Sequence, residues 1–308
     1  MAAADAAAPF APPRASLRER VFGETPTAWL FIAPAVVVIL GLSIVPLAWS
    51  LLLSFKSSDL VTPSTWIGTA NYKALAHDPK FRDAVTHTLI YTALFVPLSI
   101  AGGLALAIAL NRRIRFIGLY RTCVFVPFVT SAAARGVLFS FIFDSQFGVA
   151  NAVLDGVGIG RQGFFQDPGQ ALYLVVLIGL WAQMGFCTVI YLAALQDIPR
   201  ELVEAASIDG ARRWGVFRAV VWPALLPVSV FLLVWQTFQA LQLFDLVYVT
   251  TRGGPLESTT VIVFFVYQQA FEFFNAGYAA AGAYALAAAL LVVGVVAAVY
   301  RRRRERWA

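Results

Sequence analysis

The sequence predicts an all-α, polytopic membrane protein with six transmembrane helices, and three observations lead to this prediction. Apolar residues make up 60% of the 308 residues and charged residues only 13%, about half the share found in soluble globular domains. Six apolar runs are long enough to cross a bilayer, which takes about 20 helical residues. Basic residues are concentrated in alternate segments between these runs, a pattern typical of a chain that crosses a membrane repeatedly.

The six predicted spans define the organisation of the chain. Their approximate bounds are 29–54, 84–110, 122–143, 172–195, 220–241 and 277–300. Proline residues lie within or at the ends of several runs, which membrane helices tolerate better than soluble ones. We expect a tail at 1–28, a first helix and outer loop at 29–83, a transmembrane core at 84–300, and a basic tail at 301–308.

The charge distribution orients the predicted bundle. With the N-terminus inside, the inner segments hold sixteen of the 23 Lys and Arg residues and the outer segments six, which leaves Arg135 within the third span. The excess of positive charge on inner segments places both termini and the loop at 196–219 in the cytoplasm. Because the basic residues cluster at helix ends, where they meet anionic headgroups, they do not indicate a nucleic-acid partner.

The loop at 196–219 is a polar segment between two long apolar runs. Pro199 suits the first turn of a helix, and Gly210 suits a left-handed stop. Apolar residues recur between them at helical spacing, at Ile198, Leu202 and Ala206. Glu201 and Glu204 lie three positions apart on another face of the predicted helix.

After Gly210, a second amphipathic helix is predicted from Trp214, Phe217 and Val221. A helix-turn-helix with an apolar seam and acidic side chains, tethered at the membrane, suits docking of a soluble protein. The spacing alone is equally compatible with an ordinary solvated loop.

The loop residues also carry a family resemblance. The pattern of Glu-Ala-Ala, three residues, Gly, nine residues and a hydrophobic-x-x-Pro resembles the signature loop of binding-protein-dependent ABC importer permeases. It is matched by Glu204, Ala205, Ala206, Gly210, Val220 and Pro223. Trp222 departs from the Leu more usual in that family, but it keeps an apolar residue.

The resemblance implies a type I ABC importer permease fold and a role for the loop. In that family the loop is a coupling helix that sits in a groove of the ATP-hydrolysing subunit. Glu204 would then be the charged anchor, Ala205 and Ala206 close-packing contacts, and Gly210 the turn, with Asp209 beside it. The resemblance also implies a second homologous permease, two ATPase subunits and an extracytoplasmic solute-binding protein as partners in a bacterial inner (plasma) membrane.

Other segments resemble the carbohydrate-uptake branch of the same family. They are 66–72, 143–148, 251–255 and 267–278, and with the loop they extend the resemblance over about residues 29–300. Similarity is greatest to the first of the two permeases in sugar and glycerol-3-phosphate importers. The substrate implied is therefore a sugar or sugar-like solute, with a glycerol-phosphate solute as the alternative.

The fifth span contains the candidates for substrate contact. Trp235, Gln239 and Gln242 fall on one stripe of a helix, with Gln236 beside it and Asp245 shortly after. Amides in a membrane helix are costly unless they face protein or water. Aromatic faces and amide donors suit the CH surface and hydroxyls of a sugar. The alternative is hydrogen bonding between helices.

Arg135 is the remaining candidate, some 14 residues into a predicted continuous third helix. A charged guanidinium group inside a membrane is costly unless it contacts water, a cluster of carbonyl groups or an anion. One interpretation is a cavity-facing contact to a phosphorylated solute; the other is a structural or water-facing residue, or a pair with a carboxylate of a partner permease.

The sequence contains no constellation typical of an enzyme. There is no Gly-Lys-Ser/Thr phosphate loop, no paired metal ligands, and no nucleophile with a His base. We therefore expect no cofactor on this chain, with ATP and Mg²⁺ bound by the ATPase subunits. The rival functions are a stand-alone secondary carrier, which usually carries intramembrane carboxylates for ion coupling, and a membrane scaffold, which leaves the loop unexplained.

Overall fold

A computed structural model of the chain describes residues 25–112 and 115–305, which are mostly helical. This described part contains five helices long and apolar enough to cross a membrane, and a bent helix pair that makes a sixth if it is one span. The long helices are Phe31–Ser54, Pro79–Leu110, Ala171–Gln196, Arg213–Thr250 and Ala276–Val296. The predicted all-α membrane protein is confirmed.

The first apolar stretch is helical throughout. Helix α1 (Thr25–Ile39) passes through a π-helical turn (Leu40–Ile44) into α2 (Val45–Ser54). Apolar side chains along it, such as Phe31 and Leu42, are exposed, as befits a helix with a lipid-facing surface. The predicted tail at 1–28 lies mostly outside the described residues.

A short ordered segment follows the first span. Strand β1 (Lys56–Ser57) pairs antiparallel with β2 (Thr65–Trp66), and α3 (Ala70–His77) comes next. The buried Asn71 side chain donates from Nδ2 to the Lys56 carbonyl oxygen at 2.9 Å. The loop predicted here therefore contains short ordered pieces held by their own hydrogen bonds.

The centre of the fold is a pair of long helices, α4 (Pro79–Leu110) and α8 (Ala171–Gln196), which pack along each other. Gly103 makes their close approach possible, because a Cβ there would clash with the Cβ of Cys187. Small residues at such crossings let the backbones of membrane helices approach closely.

The third predicted span is not one helix. Helix α5 (Ile117–Val129) and α6 (Ala132–Ile142) meet at an angle of 98°. Thr130 is extended, and the Ser131 hydroxyl accepts a hydrogen bond from the Ala134 amide at 3.2 Å. A serine in this position caps a new helix, so the prediction of a continuous helix over 122–143 is wrong.

Two small elements, α7 (Val149–Gly156) and a 3₁₀ turn (Phe164–Gln166), connect α6 to α8. After α8 comes the loop discussed below, followed by α11 (Trp222–Leu241) and the short α12 (Asp245–Thr250). The predicted fifth span, 220–241, thus coincides closely with α11.

The apolar segment at 261–266 forms α13 (Ile262–Tyr267), followed by a π-helical turn (Gln268–Glu272) and the last helix, α14 (Ala276–Glu305). Phe264 and Phe265 are buried, so core packing explains the apolar character of this short helix.

The main hydrophobic core lies where α4, α8, α12 and α13 meet. Its largest fully buried side chains include Phe95, Ile178, Val247 and Phe264. A second cluster joins α4, α8 and α11 around Tyr191. Residues of α8 belong to both clusters, which therefore fix the position of this helix. The candidate site begins after its last residue, Gln196.

Candidate functional site

The polar loop between α8 and α11 contains a separate helix, α9 (Arg200–Ile208). Pro199 immediately precedes it with φ −57° and ψ 131°, a non-helical ψ that separates α9 from α8. The nine residues of α9 are about 13 Å long at 1.5 Å per residue. The predicted helix after Pro199 is confirmed, one residue later than expected.

Gly210 ends α9 in the left-handed conformation, with φ +84°. The Gly210 amide donates to the Ser207 carbonyl at 3.1 Å, and the Ala211 amide donates to the Ala206 carbonyl at 3.0 Å. This pair of hydrogen bonds is the Schellman arrangement, which a residue without a Cβ adopts most easily. The left-handed stop expected at Gly210 is therefore present.

One face of α9 is open. Leu202 and Ile208 are 54% and 86% exposed, and Glu204, Ala205 and Asp209 are exposed as well. The opposite face is half-buried through Val203 and Ala206. Leu202 of the predicted apolar seam therefore lies on the open face, while Ala206 is half-buried beside Val203.

Beyond the turn, α10 (Arg213–Val216) and a π-helical turn (Phe217–Val221) lead into α11. Trp214 stacks on Phe217 with ring centroids 5.3 Å apart and is 71% exposed. The predicted helix-turn-helix is confirmed, and it presents apolar side chains on both of its arms. Exposed large apolar groups rimmed by charge are typical of an interaction surface.

The segments assigned to the cytoplasm by charge converge at this end of the molecule. Asn111 and Arg112 at the end of α4, Arg121 on α5, and Arg200 and Glu204 on α9 line one cavity. These residues come from two different segments between spans. The charge distribution assigned both segments to the cytoplasm, and the fold brings them together at one end of the protein.

The aromatic and amide stripe on α11 is partly open. Trp235 is 43% exposed and packs near Phe186 and Phe231, with ring centroids 5.9 and 6.2 Å away. Gln239 and Gln242 are exposed on the same stripe. The structure thus brings these three candidates to one open face, whereas Gln236 lies on another.

Gln236 is fully buried, and its Nε2 donates to the Sγ atom of Cys187 on α8 at 3.0 Å. This contact is the hydrogen bonding between helices that was the alternative to substrate contact. A side chain without exposed surface offers nothing to a solute in this conformation, so we exclude Gln236 from the cavity candidates.

Arg135 lies four residues into α6, near the bend, and not deep in a continuous helix. It is half-buried, and Nη1 donates to the Pro127 carbonyl at 3.0 Å. That contact spans the break between α5 and α6. Helix α6, which carries Arg135, packs against α12, which begins with the exposed Asp245, although among the described residues Arg135 and Asp245 form no ion pair.

Sequence reasoning missed the break at Thr130 and the proximity of Asp245. The sequence contained a signal for the break, since Ser131 follows Pro127 by four residues and precedes a run of three alanines. The second depends on the packing of α6 against α12. Within the part of the chain that the structure describes, no group of three His, Cys, Asp or Glu side chains is placed to hold a metal ion.

Comparison with known proteins is consistent with this geometry. Residues 74–306 match the family described as the binding-protein-dependent transport system inner membrane component. The chain is 38% identical over 264 residues to the lactose transport system permease protein LacF of Rhizobium radiobacter, covering 84% of this chain and 88% of that protein.

A second relative is the sn-glycerol-3-phosphate transport system permease protein UgpA of Agrobacterium fabrum. It is 33% identical over 267 residues, which cover 85% of this chain and 89% of that protein. Both alignments span most of each chain and contain the segment from α9 to α11.

Among solved structures, the fold matches a chain of the bacterial alginate ABC transporter in complex with alginate pentasaccharide-bound periplasmic protein. The TM-score is 0.82 at 22% identity, over 93% of this chain and 97% of that chain. At this identity the match bears on the fold. With most of its length matched by the family and its relatives, this chain belongs to the inner membrane permease components of binding-protein-dependent transport systems.

Proposed function

We propose that the chain is one of two homologous permeases in an ATP-driven importer for a sugar or sugar-like solute. The observation that carries the proposal is α9, an exposed helix with a Schellman stop and the acidic Glu204 on its open side. A helix of this kind, tethered between two spans, suits a groove on a soluble ATPase. Membership of a binding-protein-dependent family favours this function over a stand-alone carrier or a scaffold.

In the proposed cycle, a solute-binding protein docks on the outer loops and releases its solute into a cavity between the two permeases. ATP and Mg²⁺ are bound by two separate ATPase subunits, whose closure displaces α9. Because α9 is joined to α8 by a short turn and to α11 through α10 and its π-helical turn, this displacement moves both spans. Access to the cavity then alternates between the two sides of the membrane.

The membrane placement is part of the same proposal. The protein lies in a bacterial inner (plasma) membrane, with both termini and α9 in the cytoplasm. The excess of Lys and Arg on the inner segments supports this orientation, and the gathering of Arg112, Arg121 and Arg200 at one end agrees with it.

The sugar class is supported by the open face of α11. Trp235 offers an aromatic face, and Gln239 and Gln242 offer amide donors and acceptors one and two turns further on. This combination suits a polyhydroxylated ring. The relatives include a lactose permease component, which supports the same class.

A glycerol-phosphate solute is the second candidate, because one relative is a glycerol-3-phosphate permease component. It would need a cationic contact in the cavity, for which Arg135 was the candidate. The hydrogen bond from Arg135 to the Pro127 carbonyl across the α5–α6 break favours a structural role instead.

The test of the proposed substrate class is uptake by the reconstituted complex with its cognate binding protein. Neutral mono- and oligosaccharides and glycerol 3-phosphate are offered as labelled solutes, with ATP inside or omitted. We expect ATP-dependent uptake of a neutral sugar. Uptake of glycerol 3-phosphate alone would overturn the sugar assignment while leaving the importer intact.

A first prediction concerns Arg135. We expect Arg135→Gln to destabilise the complex by about 1.5–3 kcal/mol, the usual contribution of a hydrogen bond from a charged group, because the contact across the α5–α6 break is weakened. The ratio of neutral to anionic solute uptake should not change in the assembled variant. Thermal unfolding and uptake by the same preparation provide the two measurements. Selective loss of anionic uptake in a fully stable complex would contradict the structural role.

A second prediction concerns the stop of α9. Gly210→Val should weaken ATPase binding, since a β-branched residue opposes a φ of +84° by about 1–2 kcal/mol or more. Gly210→Asn is the matched control, because Asn tolerates the left-handed conformation. Recovery of the ATPase with the tagged permease from detergent extracts measures the effect. Equal recovery with Val and Asn would show that the turn is not needed for docking.

A further inference from the structure

A basic pocket lies beside α9, on the side that the charge distribution assigns to the cytoplasm. Its volume is about 710 Å³, within the range of small-molecule sites. Arg112, Arg121 and Arg200 line it, with Glu204 as the one carboxylate among its lining residues. Three guanidinium groups against a single carboxylate leave the pocket positively charged. Guanidinium groups are the preferred side chains for binding phosphate oxygens.

Arg121 has an unused donor in this region. Its Nη2 donates to the Leu110 carbonyl at 3.2 Å, which fixes the side chain. Its Nε is buried and has no hydrogen-bond partner among the described residues. A buried donor without a partner is unfavourable by about 1–3 kcal/mol, and more for a charged group. The cationic side chain of Arg121 is therefore only partly satisfied by the protein's own acceptors where it borders the pocket.

A second, more apolar pocket shares lining residues with the first. It has a volume of about 270 Å³ and is bordered by Leu110, Val124, Val189 and Leu192. Arg121 and Gln196 line both pockets. The two pockets therefore adjoin, with a cationic part at the end of the bundle and an apolar part between α5 and α8.

A basic pocket that adjoins an apolar one is suited to a ligand with an anionic head and an apolar tail. We propose that the basic pocket binds the phosphate group of an anionic membrane phospholipid, whose acyl chain enters the adjoining apolar pocket. Basic pockets between membrane helices on the cytoplasmic side are suited to anionic headgroups. A soluble phosphate would have no use for the apolar pocket, which favours the lipid as its source.

The bound lipid would lie beside α9, the helix that is displaced in the proposed transport cycle. Arg200 is in the first turn of α9, and Glu204 follows it one turn later. A phosphate held by Arg112, Arg121 and Arg200 ties α9 to the ends of α4 and α5. The lipid site is independent of the solute that the importer carries, so either assignment can fail without the other.

The test measures lipid retained by the complete transporter. Wild type and variants are purified in mild detergent from the same membranes, and phospholipid per permease chain is quantified by mass spectrometry. We expect wild type to retain an anionic phospholipid. The double variant Arg112→Gln with Arg200→Gln alters two exposed residues and should reduce the retained amount about tenfold or more. Arg121→Gln should have a similar effect.

The matched control is Arg213→Gln with Arg218→Gln, which removes the same amount of charge at two exposed positions of the loop at 196–219 that lie outside the pocket lining. It should retain lipid as wild type does. Equal retention by the pocket and control variants, whether high or low, would overturn the proposal. Release of the lipid from wild type by millimolar inorganic phosphate would assign the pocket to a soluble anion and would also overturn it.

Discussion

Glu204→Lys is expected to lower ATP-driven uptake by about 100-fold or more, while the permease still inserts in the membrane and folds. Glu204 is exposed on α9, so the change leaves the core intact. In the proposed interface, the new ammonium group would oppose the charge that the carboxylate meets on the ATPase, and such like-charge contacts cost several kcal/mol. Uptake by reconstituted vesicles, normalised to permease content, measures the effect.

The control for this experiment is Asp197→Lys. Asp197 is also exposed and carries the same charge, but it precedes α9 and lies outside the loop motif. We expect it to change uptake by no more than a few-fold, as typical of surface charges. Wild-type uptake by the Glu204 variant, or an equal loss in both variants, would contradict a specific coupling role for Glu204.

The second large effect is expected from Gly185→Val in the middle of α8. A Cβ at this position would clash with the carbonyl oxygen of Val124 on α5. Because the opposing atoms are backbone, the helices must separate. We expect a loss of about 3 kcal/mol or more, at the upper end for overpacked sites, and hence little folded protein after extraction.

Gly118→Val is the matched control for that change. Gly118 is near the start of α5, and a Cβ added there meets no atom within 4 Å. Both variants place valine in a helix, so they share the same helix-propensity effect. Size-exclusion profiles and thermal unfolding of the two purified proteins provide the comparison. Equal stability would show that α5 and α8 do not approach as closely as described.

Local sequence chemistry was sufficient to predict α9. Pro199 and Gly210 act through their own backbone restrictions, and these operate wherever the chain lies. The structure places the start and the stop of the helix within one residue of the expected positions. The six apolar runs could also be predicted from local sequence, because the length and composition of a segment decide whether it can span the bilayer.

The errors arose where packing decides the outcome. The sequence also does not decide which of the two apolar neighbours Leu202 and Val203 turns inward, because only the contact of α9 with the rest of the protein leaves Val203 half-buried and Leu202 exposed. Gln236 and Gln239 are equally polar neighbours of Trp235, yet Gln236 meets Cys187 on α8. No periodicity within one helix reveals which partner helix lies against which face.

The broken third span is an intermediate case. Its hydropathy is continuous, so a window of apolar residues predicts one helix. The Ser131 cap and the extended Thr130 interrupt that helix locally, and this changed the interpretation of Arg135 from a residue deep in a helix to one that contacts the Pro127 carbonyl across the bend.

The central proposal is that the open face of α9 contacts an ATPase subunit, and photo-cross-linking tests it most directly. A benzophenone amino acid replaces Ile208, which is 86% exposed on α9, or Leu256, which is 89% exposed between α12 and α13 on the segment assigned to the outside. On irradiation of intact membranes, we expect a cross-link to the ATPase subunit from position 208 and none from position 256. A complex that contains the ATPase but gives no cross-link from position 208 would contradict the proposal.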